Sequence, residues 1–304
     1  MIKYFLHNKI DLVKWDSCID QSLNGIVYAK SYYLNNMSPD WNALILGDYE
    51  AVMPVTWRKK WQIKYLAQPA FTQQLGIFYK KEISLSSLQI FLEELKNRFA
   101  FSDINLNYGN SLFEDLPKRC NLVLDLNASF DEIKKDFRKD LITRAVKNKL
   151  EYNISDEYKL AIKFFKENYT EIKGVRPEDY TQLGKLCKLL FQQNLLMVPV
   201  VKNAEGHLLS IALMVKDEKR IYYILGASSA KGKLVDANAF LLYETIRRFS
   251  TTKLLFDFEG SDMPQIKSFF KKFNPVEQPY PVFIYNNLPA SYKLIKNLKE
   301  RFSK

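Results

Sequence analysis

Apolar positions recur at two spacings along this chain, and each spacing predicts a kind of element. Alternation and short apolar runs predict a hairpin, Asn42–Ile45 with Tyr49–Val55, turned at Gly47-Asp48. A further strand is expected at Ile63–Leu66, reached through the basic link Arg58-Lys59-Lys60. A loop with Gln68-Pro69 and Gln73-Gln74 leads into the apolar Leu75–Tyr79. Leu88, Leu92, Leu95 and Phe99 then fall at helical spacing, which predicts a helix over Ser84–Phe99 capped by Ser84 or Ser86. Strict alternation over Ile104–Tyr108, ended by Gly109, predicts the next strand.

Beyond the strand expected at Asn121–Leu126, the apolar residues Phe130, Ile133, Phe137, Leu141 and Ala145 form one helical stripe. The spacing predicts a helix over Phe130–Leu150 with Lys134, Lys135, Arg138, Lys139, Arg144, Lys147 and Lys149 on its outer side. That side reads either as a solvated face or as a surface for phosphates. Two helices, Asp156–Tyr169 and Pro177–Gln193, precede a meander of Met197–Lys202, Leu208–Lys216 and Ile221–Gly226. A loop, Ala227–Asp236, leads to a helix over Ala237–Phe249 and a strand over Leu254–Glu259, stopped at Gly260-Ser261. A short helix over Pro264–Phe273, a strand over Pro281–Tyr285 and a basic helix over Leu288–Phe302 complete the expectation.

One plan occurs twice: hairpin, strand, loop, helix, strand. In the first half the helix ends at Phe99 and its strand at Gly109; in the second, at Phe249 and Gly260. We therefore expect a tandem of one α+β fold, each copy a mixed sheet flanked by helices, divided as residues 1–125 and 126–304. A chain of 304 residues is long enough for two such domains.

Composition narrows the chemistry. Two His and three Cys, the latter far apart at Cys18, Cys120 and Cys187, leave no zinc-binding spacing, and no metal site is expected. A serine or cysteine nucleophile would need His7 or His207, and no G-x-S-x-G elbow is present. The Cys pattern and the lack of an apolar leader or of a run near ~20 residues predict a cytoplasmic protein without a transmembrane segment. The net charge of +11 is uneven: residues 1–125 hold 14 Lys+Arg against 13 Asp+Glu, and residues 126–304 hold 31 against 21. A basic second half favours polyanionic partners, among them CoA phosphates, tRNA, nucleotide-linked precursors and an anionic membrane face.

The order helix, helix, three-strand meander, loop, helix, then Phe256-Asp257-Phe258-Glu259-Gly260-Ser261 resembles that of GNAT acyltransferases. Together with Phe269-Phe270-Lys271-Lys272-Phe273, and with Met53-Pro54, Gln68-Pro69 and Gln73-Gln74-Leu75-Gly76 in the first half, it resembles the FemAB-type tandem-GNAT group. The resemblance implies an N-acyltransferase that moves an acyl or aminoacyl group from acyl-CoA or aminoacyl-tRNA to an amine. The amine would belong to a small molecule or a peptide such as a cell-wall precursor, with no tightly bound cofactor. It implies a donor site at the loop Ser228, Ser229, Ala230, Lys231, Gly232 and Lys233. That loop departs from the usual Q/R-x-x-G-x-G/A pattern in having one Gly and two Lys, and in Gln73-x-x-Gly76-x-Phe78 a bulky residue stands where a small one is usual.

Acyl transfer to an amine needs a proton acceptor and a polarised carbonyl, and no covalent nucleophile. Alternation puts Asp257 and Glu259 on one face of their strand as candidate general bases, with capping of the next turn as the other reading. Asn105 and Asn107 on the corresponding strand of the first half, with Gln73, Gln74 and Tyr108, are candidates for an acceptor cleft between the halves. Tyr222, Tyr223 and Tyr108 are candidate acids, although most of the 18 Tyr are expected to pack. The competing class is a GNAT-like protein without catalysis that binds RNA, a nucleotide or an anionic surface.

Overall fold

The computed structural model describes residues 1–60, 62–169, 174–260 and 262–289. They form two compact units: Met1–Lys118 with the described residues from Tyr280 onward, and Arg119–Pro279. The first unit opens with β1 (Ile2–Phe5), α1 (Leu12–Gln21) and α2 (Ser31–Met37), followed by β2 (Asn42–Leu46), β3 (Ala51–Val55), β4 (Trp57–Lys60) and β5 (Ile63–Ala67). It continues through β6 (Phe78–Tyr79), α3 (Leu85–Arg98), β7 (Phe101–Asn105) and β8 (Lys118–Arg119), where the chain passes into the second unit.

The second unit holds β9 (Leu122–Asp125), α4 (Phe130–Ile133), α5 (Thr143–Lys147), β10 (Glu151–Ser155), α6 (Tyr158–Asn168) and α7 (Pro177–Gln192). Then come β11 (Leu196–Lys202), β12 (Leu208–Lys216), β13 (Arg220–Ser228), α8 (Ala230–Leu234) and α9 (Ala237–Phe249). After β14 (Leu255–Asp257), α10 (Pro264–Phe270) and β15 (Val276–Glu277), the last strand β16 (Tyr280–Asn286) returns to the first unit.

The first unit carries two sheets, ordered β1-β2-β3-β6 and β4-β5-β7-β16-β8; the second carries one, ordered β10-β11-β12-β13-β14-β9-β15. The seven residues Leu209–Val215 of β12 are all buried, as a central strand covered on both faces requires. On one face α9 packs over β11, β12 and β13, closing a core with Ala212, Met214, Ile221, Tyr223, Leu241 and Phe256. On the other α6 packs on β12 and β13 and α7 on β11.

The internal repeat is visible in the pairing. β5 and β7 are parallel neighbours joined through α3, and β13 and β14 are parallel neighbours joined through α9. In each case the flanking pairs are antiparallel, β4 with β5 and β7 with β16 in one unit, β12 with β13 and β14 with β9 in the other. The architecture is thus α+β, a tandem of one mixed-sheet plan. The partition expected at 125/126 falls at the end of β9, a strand bonded to β14 and β15 of the second unit; β16, beyond it, pairs with β7 of the first.

Several expected elements are corrected. The helix expected over Phe130–Leu150 is broken into α4, a 3-10 turn at Lys134–Asp136, and α5. At Phe137 the chain becomes extended, and the Arg138 N–H donates to the Lys272 carbonyl at 2.9 Å instead of to its own helix. The link Arg58-Lys59-Lys60 is part of β4, which pairs with β5. The strand expected at Ile104–Tyr108 lies at Phe101–Asn105, because Asn107 caps a 3-10 turn over Tyr108–Asn110. The strand expected to reach Glu259 ends at Asp257. The basic helix expected over Leu288–Phe302 and the Ser261 of the acidic motif lie outside the described residues, apart from Leu288 and Pro289.

Candidate functional site

β13 and β14 hydrogen-bond in only three registers, Arg220 with Leu255, Ile221 with Phe256 and Tyr222 with Asp257. β13 runs on to Ser228, but the chain after Asp257 leaves it and follows β9. The Phe258 N–H donates to the Leu122 carbonyl at 3.0 Å. Gly260 lies so close to the residues leading into β9 that a Cβ there would stand 2.5 Å from the Cys120 carbonyl oxygen. The sheet therefore opens between β13 and β14 beyond Tyr222, at the C-terminal end of the parallel pair. Parallel sheets commonly take ligands at such an end.

The β12–β13 register shifts between Leu213 and Met214, which face Leu225 and Tyr223, so Ile224 is an extra residue on the bulged strand. Bulges re-aim side chains and are common beside active sites. Ile224 on β13 and Glu259 after β14 each lie two residues past the last paired position, Tyr222 with Asp257. Tyr223 is buried, and its hydroxyl donates to Asn238 Oδ1 at 3.0 Å. Ser210 donates to the same oxygen at 3.4 Å and to the Ala227 carbonyl at 3.0 Å, while Ser228 donates to Ser210 Oγ at 3.0 Å. Gly226 makes room for the Tyr223 phenol, since a Cβ there would overlap it. Burial drives the Tyr223 pKa far above the ordinary phenol value, so the hydroxyl stays protonated.

At the closed end stands an ion pair. Arg220 Nη1 donates to Asp257 Oδ2 at 2.9 Å and to Gln278 Oε1 at 2.9 Å, and Asn121 Nδ2 donates to Asp257 Oδ2 at 3.2 Å. Asp257 Oδ1 accepts the Glu259 N–H at 2.9 Å. Burial pushes the Asp257 pKa above the usual carboxylate range, and Arg220 pulls against it. The two carboxylates are thus not equivalent neighbours on a strand. Asp257 is buried and ion-paired, whereas Glu259 is half-buried, past the strand end and left-handed at φ +53°.

The loop after β13 is largely committed to its own structure. Ser229 caps α8 by accepting the Gly232 N–H at 3.0 Å, and its own N–H donates to the Leu209 carbonyl at 3.0 Å. The Lys233 N–H donates to the Ser229 carbonyl at 3.0 Å. Gly232 is required by packing, since a Cβ would overlap the Leu209 carbonyl. Lys231 and Lys233 are exposed, the latter with its ammonium 5.2 Å from the Tyr169 ring centre. At the N-cap position of α9, Arg144 is bonded to both Asp236 oxygens at 2.5 and 2.8 Å. Of the basic segment, Lys134 pairs with Asp131 at 2.6 Å and Arg138 with Asp140 at 2.5 Å, while Lys139 is exposed.

In the first unit the candidate amides brace a loop. Asn107 is fully buried, accepting from Asn24 at 2.8 Å and the Gly109 N–H at 2.9 Å and donating to the Ile77 carbonyl at 3.1 Å. Asn105 donates to the Gln73 carbonyl at 2.6 Å; Gln74 donates to Gln73 Oε1 at 2.7 Å and accepts the Tyr108 N–H at 2.9 Å. Gln73 and Tyr108 are half-buried. Tyr222 is buried, its hydroxyl donating to Asp217 at 2.9 Å. The alternation did not single out Ser210, Asn238, Arg220 or the bulge. The one signal was Ser210 itself, a lone hydroxyl inside the apolar run of β12.

No family model and no curated protein matches the sequence. Solved structures do match over nearly the whole chain. FemX is similar at a TM-score of 0.64 and 14% identity, covering 96% of this chain and 99% of its own. A tandem GNAT protein from the clavulanic acid biosynthesis pathway is similar at 0.54 and 10%, covering 95% and 100%. L-PGS from Bacillus licheniformis is similar at 0.50 and 15%, covering 96% of each chain. At these identities the likeness is one of fold: the chain has the FemAB-like tandem GNAT fold. No helix among the described residues is long and apolar enough to cross a membrane.

Proposed function

We propose that this chain is an N-acyltransferase whose second unit holds an activated acyl or aminoacyl donor in the opening between β13 and β14. The observation that carries the reading is that opening, with a bulged backbone at Ile224 on one strand and Glu259 just past the end of the other. An acceptor amine attacks the donor carbonyl directly. Glu259 accepts the proton the amine loses and returns it, directly or through water, to the leaving group, while the bulged backbone of β13 faces the carbonyl oxygen. The donor is acyl-CoA or aminoacyl-tRNA, and the exposed Lys231 and Lys233 receive its phosphates. The acceptor is an amine-bearing small molecule or peptide, with a cell-wall peptide precursor as one kind. In the first unit Asn105, Asn107 and Gln74 hold in place the loop that carries Gln73 and Tyr108.

One observation favours a second reading, a binding protein without catalysis for RNA, a nucleotide or an anionic surface. The backbone N–H groups of Ser229, Gly232 and Lys233 are already bonded inside the protein, so they do not form an open cradle for a diphosphate. The two readings separate in one experiment: acyl transfer measured with acyl-CoA and with aminoacyl-tRNA against a panel of amines, in the native chain and in Glu259→Gln. An enzyme shows saturable transfer that falls by about 10²–10⁴-fold in the variant with the fold intact. A binder keeps salt-dependent affinity in both and transfers nothing. Loss of CoA affinity on changing Lys231 and Lys233 to Ala assigns CoA, and loss of tRNA affinity on changing Arg138 and Lys139 assigns tRNA.

A further inference from the structure

The ion pair beneath the opening has its two side chains 4% and 2% exposed. Burying two charges costs desolvation that their attraction often only matches, and apolar residues of the same shape are commonly as stable. Stability alone therefore gives no reason for Arg220 and Asp257 to be charged. Their bonding gives one. Arg220 is held by Gln278, Asp257 Oδ2 is held by Arg220 and Asn121, and the carboxylate so fixed presents Oδ1 to the Glu259 N–H at 2.9 Å. Glu259 at φ +53° has a backbone that disfavours any residue with a Cβ. Such conformations persist where their surroundings over-determine them, and they cluster at functional sites. The bond from Oδ1 is a restraint on the backbone of this glutamate.

We infer that Arg220 and Asp257 are positioning residues which, through the bond from the Glu259 N–H to Asp257 Oδ1, set where the Glu259 carboxylate stands at the mouth of the β13/β14 opening. The inference rests on the reading of Glu259 as the proton acceptor. Asp257 itself takes no proton from the amine. Its oxygens are occupied, and the group that touches substrate is the one it aims.

The test is a double-mutant cycle with Asp257→Asn, Glu259→Gln and both, with Arg220→Lys as the milder change should Asp257→Asn fail to fold. Transfer kinetics and the carboxyl-carbon NMR titration of Glu259 are both read. Asp257→Asn and Arg220→Lys are expected to lower kcat tenfold or more with KM for the donor unchanged, and to shift the Glu259 titration. In the Glu259→Gln background Asp257→Asn is expected to lower kcat no further, because both changes remove one function. Additive losses in kcat, or a Glu259 titration identical in the native chain, Asp257→Asn and Arg220→Lys, overturn the inference. If the native chain transfers nothing to any amine, the functional reading fails, and the titration still decides whether Asp257 and Arg220 position Glu259.

Discussion

Two glycines of the second unit lie in helices under opposite constraints. Gly184 is in the interior of α7, and the nearest atom to a Cβ there is Ile162 Cδ1 at 3.9 Å. Gly184→Ala is expected to stabilise the protein by about 0.5–1 kcal/mol, the usual gain when a helix-interior glycine gives way to alanine. Gly232→Ala drives a methyl group into the Leu209 carbonyl and is expected to cost about 1–3 kcal/mol. Denaturant midpoints of the two variants against the native chain measure both, and a loss in Gly184→Ala or a gain in Gly232→Ala contradicts the packing described. At this scale the sequence was partly legible. An acidic cluster at a strand end could be read from Asp257 and Glu259, but alternation treated them alike. Their difference arises from a left-handed backbone and a partner, Arg220, that lies 37 residues away in sequence. Asn105 and Asn107 were legible as polar positions, and the network that fills their hydrogen bonds was not, because Gln73 meets Asn105, and Asn24 and Ile77 meet Asn107, across long separations.

Elements set by a continuous periodic pattern were legible almost to the residue. α3, α9 and β12 lie where their spacing places them. The segment after Ser129 shows the limit. Its stripe Phe130, Ile133, Phe137, Leu141 and Ala145 does face the core, but an apolar stripe records which residues are buried and not whether the backbone between them stays helical. The break follows from a backbone bond to Lys272, which no local pattern contains. β4 was hidden for a related reason. Its basic residues place Lys59 directly opposite Lys64 of β5, and like charges in that position oppose pairing. Lys59→Glu is expected to raise the melting temperature at low ionic strength, with the gain shrinking as salt is added. An unchanged or lower melting temperature at low salt refutes this.

The joint between α10 and β15 should respond to acid. Glu277 is bonded to Lys267 at 3.0 Å and to Lys271 at 3.1 Å, and the two ammonium groups hold its pKa below the usual carboxylate value. A carboxylate with a lowered folded pKa contributes stability that is present above its unfolded pKa and is lost as pH falls through the folded one. The stability difference between the native chain and Glu277→Gln should therefore be present at neutral pH and close in acid. A difference that stays constant across that range removes the pair from the account of stability.

At the scale of the whole molecule, each unit contains one parallel strand pair flanked by antiparallel ones, and the first unit takes its last such strand, β16, from beyond the second. The repeat was legible in the order of elements. The placement of β16 was not, because strand order carries no record of which sheet a strand joins. Val282 and Phe283 are buried there, and β16 pairs along Phe101–Asn105. Ending the chain after Pro279 should leave the β7 amides that face β16 unprotected in hydrogen exchange while those of β12 keep their protection. Equal protection of β7 in the full and shortened chains would show that β16 is dispensable.

This routing bears on how the protein is made. Residues 119–279 are continuous and emerge from the ribosome with every strand of their sheet to hand, whereas the portion synthesised first must wait, one edge of β7 open, until β16 has followed the whole second unit. The unit that begins earlier is completed later, so a pause or a premature stop between the second unit and β16 would harm a sheet whose other strands were made long before.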